Sequence, residues 1–319
     1  MQLKELFTKT LVEPNGLQRF IARKLLFRPM EAIGFHIVGD HFYEPIPNLG
    51  QLSRNYDPDR FHLPAGHVFD FNTTSASYEA VLENFSGDFL HAVRQTGFCI
   101  NPYFRMEDAV SLYGVIRHEK IHTVVEIGQG YSTLVALAAL RDNRKAELEP
   151  TRFISIDPFD RLKSQGHAAV SNDECITLIK KRIQDVDVNE LLQLLGEKTL
   201  LFVDSSHVFK PGSDVEFLMR NVYSELPPGT FLHIHDIYTP YGTPKERFTK
   251  DKLFFSEQDH LESFLDHNTS FHIKYPIFWF YRDNSNLRTI LKKYKIPSDL
   301  AGNSFYIQRL PALRSADNA

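Results

Sequence analysis

The stretch VVEIGQGYSTLVALAAL, residues 124–140, decides the fold. Its first four residues form a run typical of a strand that is covered on both faces. Gly128 and Gly130 follow, and glycine permits backbone conformations and close approaches that a Cβ atom would hinder. Ser132 or Thr133 can cap the helix that comes next. The segment therefore predicts a strand, a tight turn and a helix within an open α/β sheet.

An acid inside the predicted strand narrows the choice of ligand. The turn would present backbone N–H groups at the carboxyl end of a parallel strand, where such sheets bind nucleotides. A carboxylate at Glu126 would repel a pyrophosphate and attract an ammonium group. The dinucleotide pattern G-x-G-x-x-G also requires a glycine where this chain has Thr133. We therefore expect a cationic nucleoside rather than a dinucleotide.

A second strand is predicted in FISIDPFDR, residues 153–161, and it ends in an acid. Asp157 follows the glycines at the sequence separation that is expected for a ribose-binding carboxylate. Such a carboxylate can accept hydrogen bonds from both ribose hydroxyls. Its alternative role is that of a turn residue. Further along, Gln184 and Asp185 are candidates for a loop beside an adenine, although a polar loop needs no ligand to explain it.

Two later strand ends carry the residues suited to catalysis. TLLFVDSSH ends a strand at Asp204, with His207 three residues on, and GTFLHIHD ends another at His235 and Asp236. Parallel strand ends share one edge of a sheet, so these side chains are expected to converge. They would suit Mg²⁺ if oxygen ligands dominate, or Mn²⁺ or a heavier ion if His235 binds. The same acids also suit a metal-independent site, and His233 is expected to be structural.

The order of these motifs resembles a known family. E-x-G-x-G at a strand end resembles the first motif of class I S-adenosylmethionine-dependent methyltransferases. The DSSH and HDI segments, residues 204–207 and 235–237, closely resemble the methyltransferase-24 type, and the resemblance extends from about Phe35 to Leu310. The acid-x-x-His pattern is also similar to metal-assisted sugar O-methyltransferases. The chain departs from them by having His235 where an oxygen ligand would be expected.

The resemblance implies roles for particular residues. It implies S-adenosylmethionine as the cofactor and His207 as the general base for a hydroxyl, with Asp204 assisting. It implies a divalent cation, Mg²⁺ or another, at Asp204, His235 and Asp236. The acceptor would be a sugar, a glycan or a related small molecule. The cofactor-binding residues implied are Glu126, Gly128, Gly130, Ser132, Thr133, Asp157 and Asp204.

The predicted architecture is a Rossmann-like α/β methyltransferase fold. A mostly parallel seven-stranded sheet with helices on both faces would fill residues 75–319, behind a helical segment and loop-rich cap in residues 1–74. FHIKYPIFWFYRD, residues 271–283, and NSFYIQRL, residues 303–310, would be the last two strands, paired antiparallel with the final strand reversed.

The predicted cap contains two further features. Its basic amphipathic segment, residues 17–29, is expected to pack on the core or on another subunit, with a peripheral membrane contact as the alternative. Four side chains could face an acceptor sugar or could equally be packing and turn residues. These are His41, Tyr43, Tyr56 and His62.

Composition limits the class of protein. The 319 residues can hold one methyltransferase core of about 200 residues with additions. A formal net charge of −4 predicts no nucleic-acid partner. Cys99 and Cys175 suggest neither a disulfide scaffold nor a metal ribbon, which favours a reducing cytoplasm. No transmembrane segment or secretory signal is predicted, and a homo-oligomer remains open.

Two functions from other classes remain as alternatives. His207, His235 and one acid have the residue types of a two-His-one-carboxylate Fe²⁺ site, which would make the chain a hydroxylase. The chain could also be a catalytically silent cofactor-binding partner in glycan assembly. A silent module need not keep both cofactor-binding and proton-transfer groups, and this argues against it because the chain has Glu126, Asp157, Asp204 and His207. The leading prediction is a methyltransferase acting on oxygen.

Overall fold

The computed structural model describes residues 16–38, 40, 44–147, 150–164, 175–299 and 302–311. The chain divides into two compact units. The smaller unit comprises the described residues before Arg60 together with Thr243–Phe254, and the larger unit comprises the rest. The predicted boundary at residue 74 lies within a helix of the larger unit.

The smaller unit is helical. Its helices are α1 (Gly16–Ile21), α2 (Phe27–Glu31) and α3 (Leu49–Asn55), with a π-helical turn at Ala22–Leu26 and a later helix at Lys245–Thr249. The Lys245–Thr249 helix contacts α3, since Lys245 Nζ donates to Ser53 O at 3.0 Å. The rings of Tyr56 and Phe248 also lie 5.2 Å apart at their centroids.

The larger unit contains a seven-stranded sheet in the order β3-β2-β1-β4-β5-β7-β6. The first five strands pair in parallel, whereas β7 is antiparallel to both of its neighbours. The predicted sheet, with its reversed last strand, is therefore confirmed. The strands are β1 (Thr123–Ile127), β2 (Arg152–Ile156), β3 (Ile176–Ile179), β4 (Thr199–Val203), β5 (Phe231–Ile234), β6 (Phe271–Pro276) and β7 (Phe305–Arg309).

Helices cover both faces of the sheet. Val124 belongs to one buried apolar cluster and Val125 to a second one, because successive strand residues point to opposite faces. This confirms the predicted strand covered on both sides. The helices of the larger unit are α4 (Phe71–Thr96), α5 (Met106–His118), α6 (Tyr131–Glu147), α7 (Arg161–Ser164), α8 (Val188–Leu192), α9 (Asp214–Asn221), α11 (Glu257–Leu265), α12 (Ile277–Asp283) and α13 (Asn286–Lys293), where α10 is the Lys245–Thr249 helix of the smaller unit.

None of the described helices combines the length and the apolar character needed to cross a membrane. The cytoplasmic location and the homo-oligomer remain predictions.

The prediction of one continuous strand over residues 271–283 was wrong. Strand β6 ends at Pro276, whose partner in the ladder is Phe305, and helix α12 begins at the next residue. Proline has no N–H group to continue a ladder, which favours a strand end there. The following aromatic residues pack instead as a helix, with Trp279 centred 5.0 Å from Phe69. A short run of large apolar residues fits either period, so the sequence could not separate strand from helix.

The glycine turn joins the ends of β1 and β4. Gly128 has φ of +94°, and a Cβ atom at this position would lie 1.9 Å from the main-chain oxygen of Asp204. The main-chain N–H of Asp204 in turn donates to Ile127 O at 2.9 Å. In contrast, a Cβ atom at Gly130 would meet no atom within 4 Å. Gly128 therefore permits the close approach of the two strand ends, and Gly130 does not contribute to it.

We expect Gly128→Ala to destabilise the chain, because the added methyl group would overlap Asp204 O. Alanine at a positive φ costs more than about 1 kcal/mol. Urea unfolding followed by circular dichroism measures this loss. Gly130→Ala is the matched control and should remain within about 0.5 kcal/mol of the wild type. Equal stability of the two variants would contradict the proposed close approach.

Candidate functional site

A cavity of about 280 Å³ opens at the carboxyl ends of β1, β2 and β4. Its apolar side is formed by isoleucines, which suit a flat aromatic base, and its polar side includes the carboxylates of the two strand ends. Of the predicted cofactor residues, Gly128, Asp157 and Asp204 line this cavity. The isoleucines are Ile127, Ile156 and Ile183.

Glu126 lies behind the glycine turn and is fully buried. Its carboxyl group accepts hydrogen bonds from Ser132 Oγ at 2.7 Å, Thr133 Oγ1 at 2.6 Å and Ser155 Oγ at 3.1 Å. Burial raises the pKa of Glu126 to about 8. A carboxyl group with this pKa is largely protonated at neutral pH and attracts an ammonium group weakly. Glu126, Ser132 and Thr133 thus support the turn, and their contact with the cofactor remains a prediction.

Asp157 lines the cavity and also supports the turn. Its Oδ2 accepts from the main-chain N–H of Gln129 at 2.9 Å and from Arg161 Nε at 3.0 Å. Its Oδ1 accepts from the main-chain N–H of Phe159 at 2.7 Å. A carboxylate has about four acceptor sites, so these bonds leave capacity for a ribose hydroxyl. The turn role and the ribose role are therefore compatible.

The two loop candidates lie in different surroundings. Gln184 lines the cavity, and its Nε2 donates to Gly212 O at 3.0 Å. Asp185 instead forms an ion pair with Arg182, whose Nε and Nη2 both lie 2.8 Å from its carboxylate oxygens. Of the two, Gln184 is the one placed to contact a bound base.

The imidazole of His207 lies among three carboxylates. Its Nδ1 is 2.9 Å from Glu257 Oε2. Its Nε2 is 3.3 Å from Asp204 Oδ1 and 3.6 Å from Asp236 Oδ2. His207 and Asp236 both have φ in the left-handed region, at +58° and +57°. Such conformations are uncommon outside glycine and concentrate at functional sites, where the surroundings must hold them.

The carboxylates keep a proton on His207. Burial alone would lower the pKa of its imidazole, but the hydrogen bonds to Asp204 and Glu257 outweigh burial and raise the pKa to about 10. For the carboxyl group of Glu257, burial raises the pKa, although the contact with His207 acts in the opposite direction. These contacts favour the protonated, imidazolium form of His207.

His235 approaches Asp204 from the other side. Its Nδ1 lies 3.4 Å from Asp204 Oδ1, and its Nε2 lies 3.5 Å from Asp108 Oδ2. These distances are ion-pair contacts rather than short hydrogen bonds. Burial would lower the pKa of His235, but the charge of Asp204 and the contacts with Asp108 and Asp236 together raise the pKa well above its ordinary value. Asp204 thus lies between two imidazoles, each of which contacts a buried carboxylate on its far side.

The two imidazoles in turn determine the protonation state of Asp204. Burial would raise the pKa of this carboxyl group, but the charge of His235 and the hydrogen bond from His207 lower it well below its usual range. Asp204 is therefore ionised throughout the physiological pH range. It is also the member of the cluster that lines the cavity.

Three residues of this cluster were not predicted from the sequence: Glu257, Asp108 and Asn303. Glu257 begins α11, and Asp108 lies in the first turn of α5. Asn303 Nδ2 donates to Asp236 Oδ1 at 2.5 Å, and its main-chain N–H donates to Asp108 Oδ1 at 2.8 Å. Acids at helix N-termini are common, so their type and position in the sequence did not indicate a functional role. Glu257 and Asp108 could have been assigned to this cluster only from the three-dimensional arrangement of the strands and helices.

His233 is packed in the core. It is fully buried, with its ring stacked 4.0 Å from Tyr306 and 4.4 Å from Phe202. Burial lowers its pKa well below the ordinary value, so the ring is neutral. This environment agrees with the structural role expected for it.

The predicted metal ligands do not form a metal site in this arrangement. Among the residues that the structure describes, no group of three or more His, Cys, Asp or Glu side chains could hold a metal ion. His207 Nε2 lies between Asp204 and Asp236, where a cation shared by those carboxylates would have to bind. His235 directs its nitrogens at Asp204 and Asp108 instead of at Asp236. The residues present therefore do not fit the predicted ion.

The predicted cap residues have different surroundings. His41 and Tyr43 lie outside the described residues. Tyr56 packs against Phe248 within the smaller unit. The main-chain N–H of His62 donates to the carbonyl of Pro240 at 2.7 Å, which places His62 beside the loop after β5. The predicted contacts of these residues with an acceptor remain predictions.

Residues 125–237 match the model of a family described as a methyltransferase domain. The matched segment includes the glycine turn, Asp157, Asp204 and His207, so the predicted resemblance is confirmed on the residues that suggested it. Family and fold together support a methyltransferase that depends on S-adenosylmethionine.

Similar proteins extend this comparison. An uncharacterized protein of Archaeoglobus fulgidus is 27% identical over 160 residues, which cover 47% of this chain and 69% of that protein. The O-methyltransferase TomG from Streptomyces achromogenes, solved with S-adenosylmethionine, is 11% identical over 76% of this chain and 100% of its own, with a TM-score of 0.40. CalS11, a TDP-rhamnose 3'-O-methyltransferase, is 15% identical over 60% of this chain and 90% of its own, with a TM-score of 0.33. At these identities neither structure bears on the substrate.

We expect Asp157→Ala to weaken binding of S-adenosylhomocysteine, because it removes an acceptor from the cavity and releases the N–H of Gln129 in the turn. Loss of such a partner costs about 1–3 kcal/mol. Titration calorimetry measures the affinity. Asp160→Ala is the matched control, since Asp160 pairs with Lys180 and does not line the cavity. Unchanged affinity in Asp157→Ala would contradict the assignment of Asp157 to the cofactor.

Proposed function

We propose that this chain transfers the methyl group of S-adenosylmethionine to a hydroxyl oxygen of a sugar, a glycan or a related small molecule, with His207 as the general base. One observation carries the proposal. His207 is held at Nδ1 by the buried Glu257, while its Nε2 lies 3.3 Å from Asp204 Oδ1, and Asp204 lines the cavity. A base oriented by a buried acid is the arrangement that proton removal from a weak nucleophile requires.

The residues divide the work between binding and proton transfer. S-adenosylmethionine, when bound, supplies an activated methyl group and a positively charged sulfonium. Asp157 and Gln184 would orient the nucleoside, and Gly128 lines the same cavity. A hydroxyl is a poor nucleophile until it loses its proton, and His207, which contacts the cavity residue Asp204, is suited to accept that proton. The remaining requirement is the alignment of the hydroxyl with the methyl group.

His207 must be neutral to act as a base, although its contacts with Asp204 and Glu257 raise its pKa to about 10. Asp204 contacts His207 and also lines the cavity. A positive charge in the cavity would therefore compete with His207 for Asp204. Weaker stabilisation by Asp204 lowers the pKa of His207 and favours the neutral imidazole. We expect His207 to become a competent base when the donor and the acceptor are both bound.

We expect His207→Ala to bind the cofactor almost normally and to lose roughly 10²–10⁴-fold in turnover, because the hydroxyl keeps its proton. Calorimetry with S-adenosylhomocysteine and transfer of labelled methyl groups separate the two effects. In the wild type, turnover should rise with pH as His207 loses its proton. A His207→Ala enzyme with wild-type turnover would exclude His207 as the base.

Glu257→Gln tests whether Glu257 acts through His207. Loss of one negative charge at Nδ1 should lower the pKa of His207 and move the rising limb of the pH–rate profile to lower pH. The maximal rate should also fall, because a neutral amide holds the imidazolium less strongly. An unshifted profile would show that Glu257 does not act through His207.

The proposed mechanism uses no divalent cation, because His207 lies between two of the predicted ligands of that cation. We therefore expect full turnover after treatment with a chelator and exchange into metal-free buffer. Inactivation by the chelator, with recovery on adding Mg²⁺, would contradict this expectation. It would instead support the predicted ion at Asp204, His235 and Asp236, and it would require His207 to move away from the two acids.

The acceptor is identified by mass spectrometry of nucleotide sugars and defined glycans after incubation with labelled S-adenosylmethionine. Label on a sugar oxygen supports the proposal, and label on nitrogen, on carbon or on a protein contradicts it. The iron-dependent alternative gains no support from the described cluster, where His207 contacts three carboxylates and His235 contacts two, and the two rings do not face a shared open position.

A further inference from the structure

Another cavity of the larger unit lies where the end of α4, the loop after it and the chain after α13 meet. Its volume is about 230 Å³, and it shares no lining residue with the cavity at the strand ends. We call it the α4 cavity. Its apolar lining comes from Leu90, Val93, Phe98, Ile100, Met106 and Pro297.

The backbone at the end of α4 shapes this cavity. Gly97 has φ of +83°, and in this left-handed conformation its N–H group and that of Phe98 both bond back to the last turn of the helix. The bond from Phe98 N to Val93 O measures 3.2 Å. On the other side, the Tyr294 hydroxyl donates to Glu83 O at 2.8 Å, which holds the end of α13 against α4. The walls of the cavity are therefore fixed by main-chain contacts.

Two cations border the apolar lining. Arg94 and Lys295 both line the α4 cavity, and both are exposed. Within the part of the chain that the structure describes, neither side chain pairs with a carboxylate, and the cavity has no acidic lining residue. Apolar side chains beside two cations suit a ligand that has an apolar body and an anionic head.

A neighbouring cavity determines which way such a ligand would lie. This cavity, of about 280 Å³, shares three apolar lining residues with the α4 cavity. Its other lining residues include the acids Glu107 and Asp299 and one cation, Arg105, which pairs with Asp299 at 3.2 Å. An anionic head is disfavoured beside these acids. The head therefore belongs at Arg94 and Lys295, with the apolar body on the shared residues.

The volume of the α4 cavity limits the length of the apolar body. A methylene group needs about as much room as a water molecule, about 30 Å³, so 230 Å³ admits about eight carbons. Ile100 is 69% exposed although it lines both cavities. A chain that covers Ile100 removes further apolar surface from water, which favours binding.

We propose that the α4 cavity binds a medium-chain carboxylate, with an alkyl chain of about eight carbons on the apolar lining and its carboxylate beside Arg94 and Lys295. The proposal goes beyond the proposed function and does not depend on it, because the two cavities share no lining residue. Each methylene buried in the cavity should raise the affinity about fourfold.

The first test is titration calorimetry with butyrate, octanoate, dodecanoate and 1-octanol, at concentrations where each probe is monomeric. Octanoate should bind at least about tenfold more tightly than butyrate, because more methylene groups are buried. Dodecanoate should gain no more than about threefold over octanoate, because its extra carbons exceed the cavity. 1-Octanol should bind about fivefold more weakly than octanoate, because it lacks the charge. A steady gain up to dodecanoate, or equal binding of 1-octanol, would overturn the proposal.

Cys99 locates the bound probe, because it is exposed and lines the α4 cavity. The chain has two cysteines, so Cys175→Ser leaves Cys99 as the single thiol. Saturating octanoate should slow the reaction of Cys99 with a thiol reagent about tenfold, whereas butyrate at the same concentration should not. Binding of octanoate without protection of Cys99, or its displacement by S-adenosylhomocysteine, would place the probe elsewhere and overturn the proposal.

Substitutions separate the charge from the apolar contact. Arg94→Gln should weaken octanoate about fivefold and leave 1-octanol unchanged. Arg288→Gln is the matched control, since Arg288 is an exposed arginine of α13 that does not line the α4 cavity. Equal octanoate affinity in these two variants would exclude Arg94 as a contact of the carboxylate and overturn the proposal.

Ile100→Ala should weaken octanoate and 1-octanol alike, by at least about fivefold, because both probes lose the same apolar contact. Ile33→Ala is the matched control, because Ile33 is 65% exposed and belongs to the smaller unit. S-adenosylhomocysteine should bind each variant like the wild type, which distinguishes loss of this site from misfolding and from failure of the proposed function. Octanoate affinity that is unchanged in Ile100→Ala would contradict the α4 cavity as its site.

Discussion

The contact of Asp204 with two imidazoles is the interaction on which the rest of the site depends. His207 and His235 reach this carboxylate from different strand ends, at 3.3 Å and 3.4 Å. Each imidazole is backed by an acid from the first turn of a helix, Glu257 in α11 and Asp108 in α5. The sheet order, with β4 beside β5, brings the two histidines together, and the helices supply the outer acids. Asp204 thus contacts the two histidines directly, and the histidines contact α11 and α5 through Glu257 and Asp108.

Such a cluster is stable only because its charges compensate one another. Transfer of an isolated charge from water into a protein interior costs several kcal/mol or more, and removal of one member of a buried pair leaves the other uncompensated. The left-handed backbone at His207 and Asp236 adds a local cost that the surrounding hydrogen bonds must offset. The main-chain oxygen of His207 accepts from the N–H groups of Ser256 and Glu257, at 2.9 Å and 3.1 Å, which fixes this backbone to the start of α11.

The sequence predicted the parts of the site that follow from local pattern. A strand end is a local feature, so Asp157, Asp204 and His235 could be assigned to one edge of the sheet before the structure was known. Glu257 lies 50 positions from His207, and no local pattern links the two. Glu126 was expected to face a ligand because it lies beside the turn. Its burial depends on how Ser132, Thr133 and Ser155 enclose it, and this is a property of tertiary packing. The helix α12 was not predicted, because a short stretch of aromatic residues fits both the helical and the strand periodicity.

Asp204 belongs both to the lining of the cavity and to the cluster around His207. In the proposed mechanism, an imidazolium held by Asp204 and Glu257 must lose its proton before His207 can act as a base. A positive charge in the cavity would interact with the same carboxylate and would lower the pKa of His207. The proposed strength of the base would therefore depend on what the cavity binds. His235, which contacts Asp108 as well as Asp204, favours the ionised form of Asp204 in this arrangement.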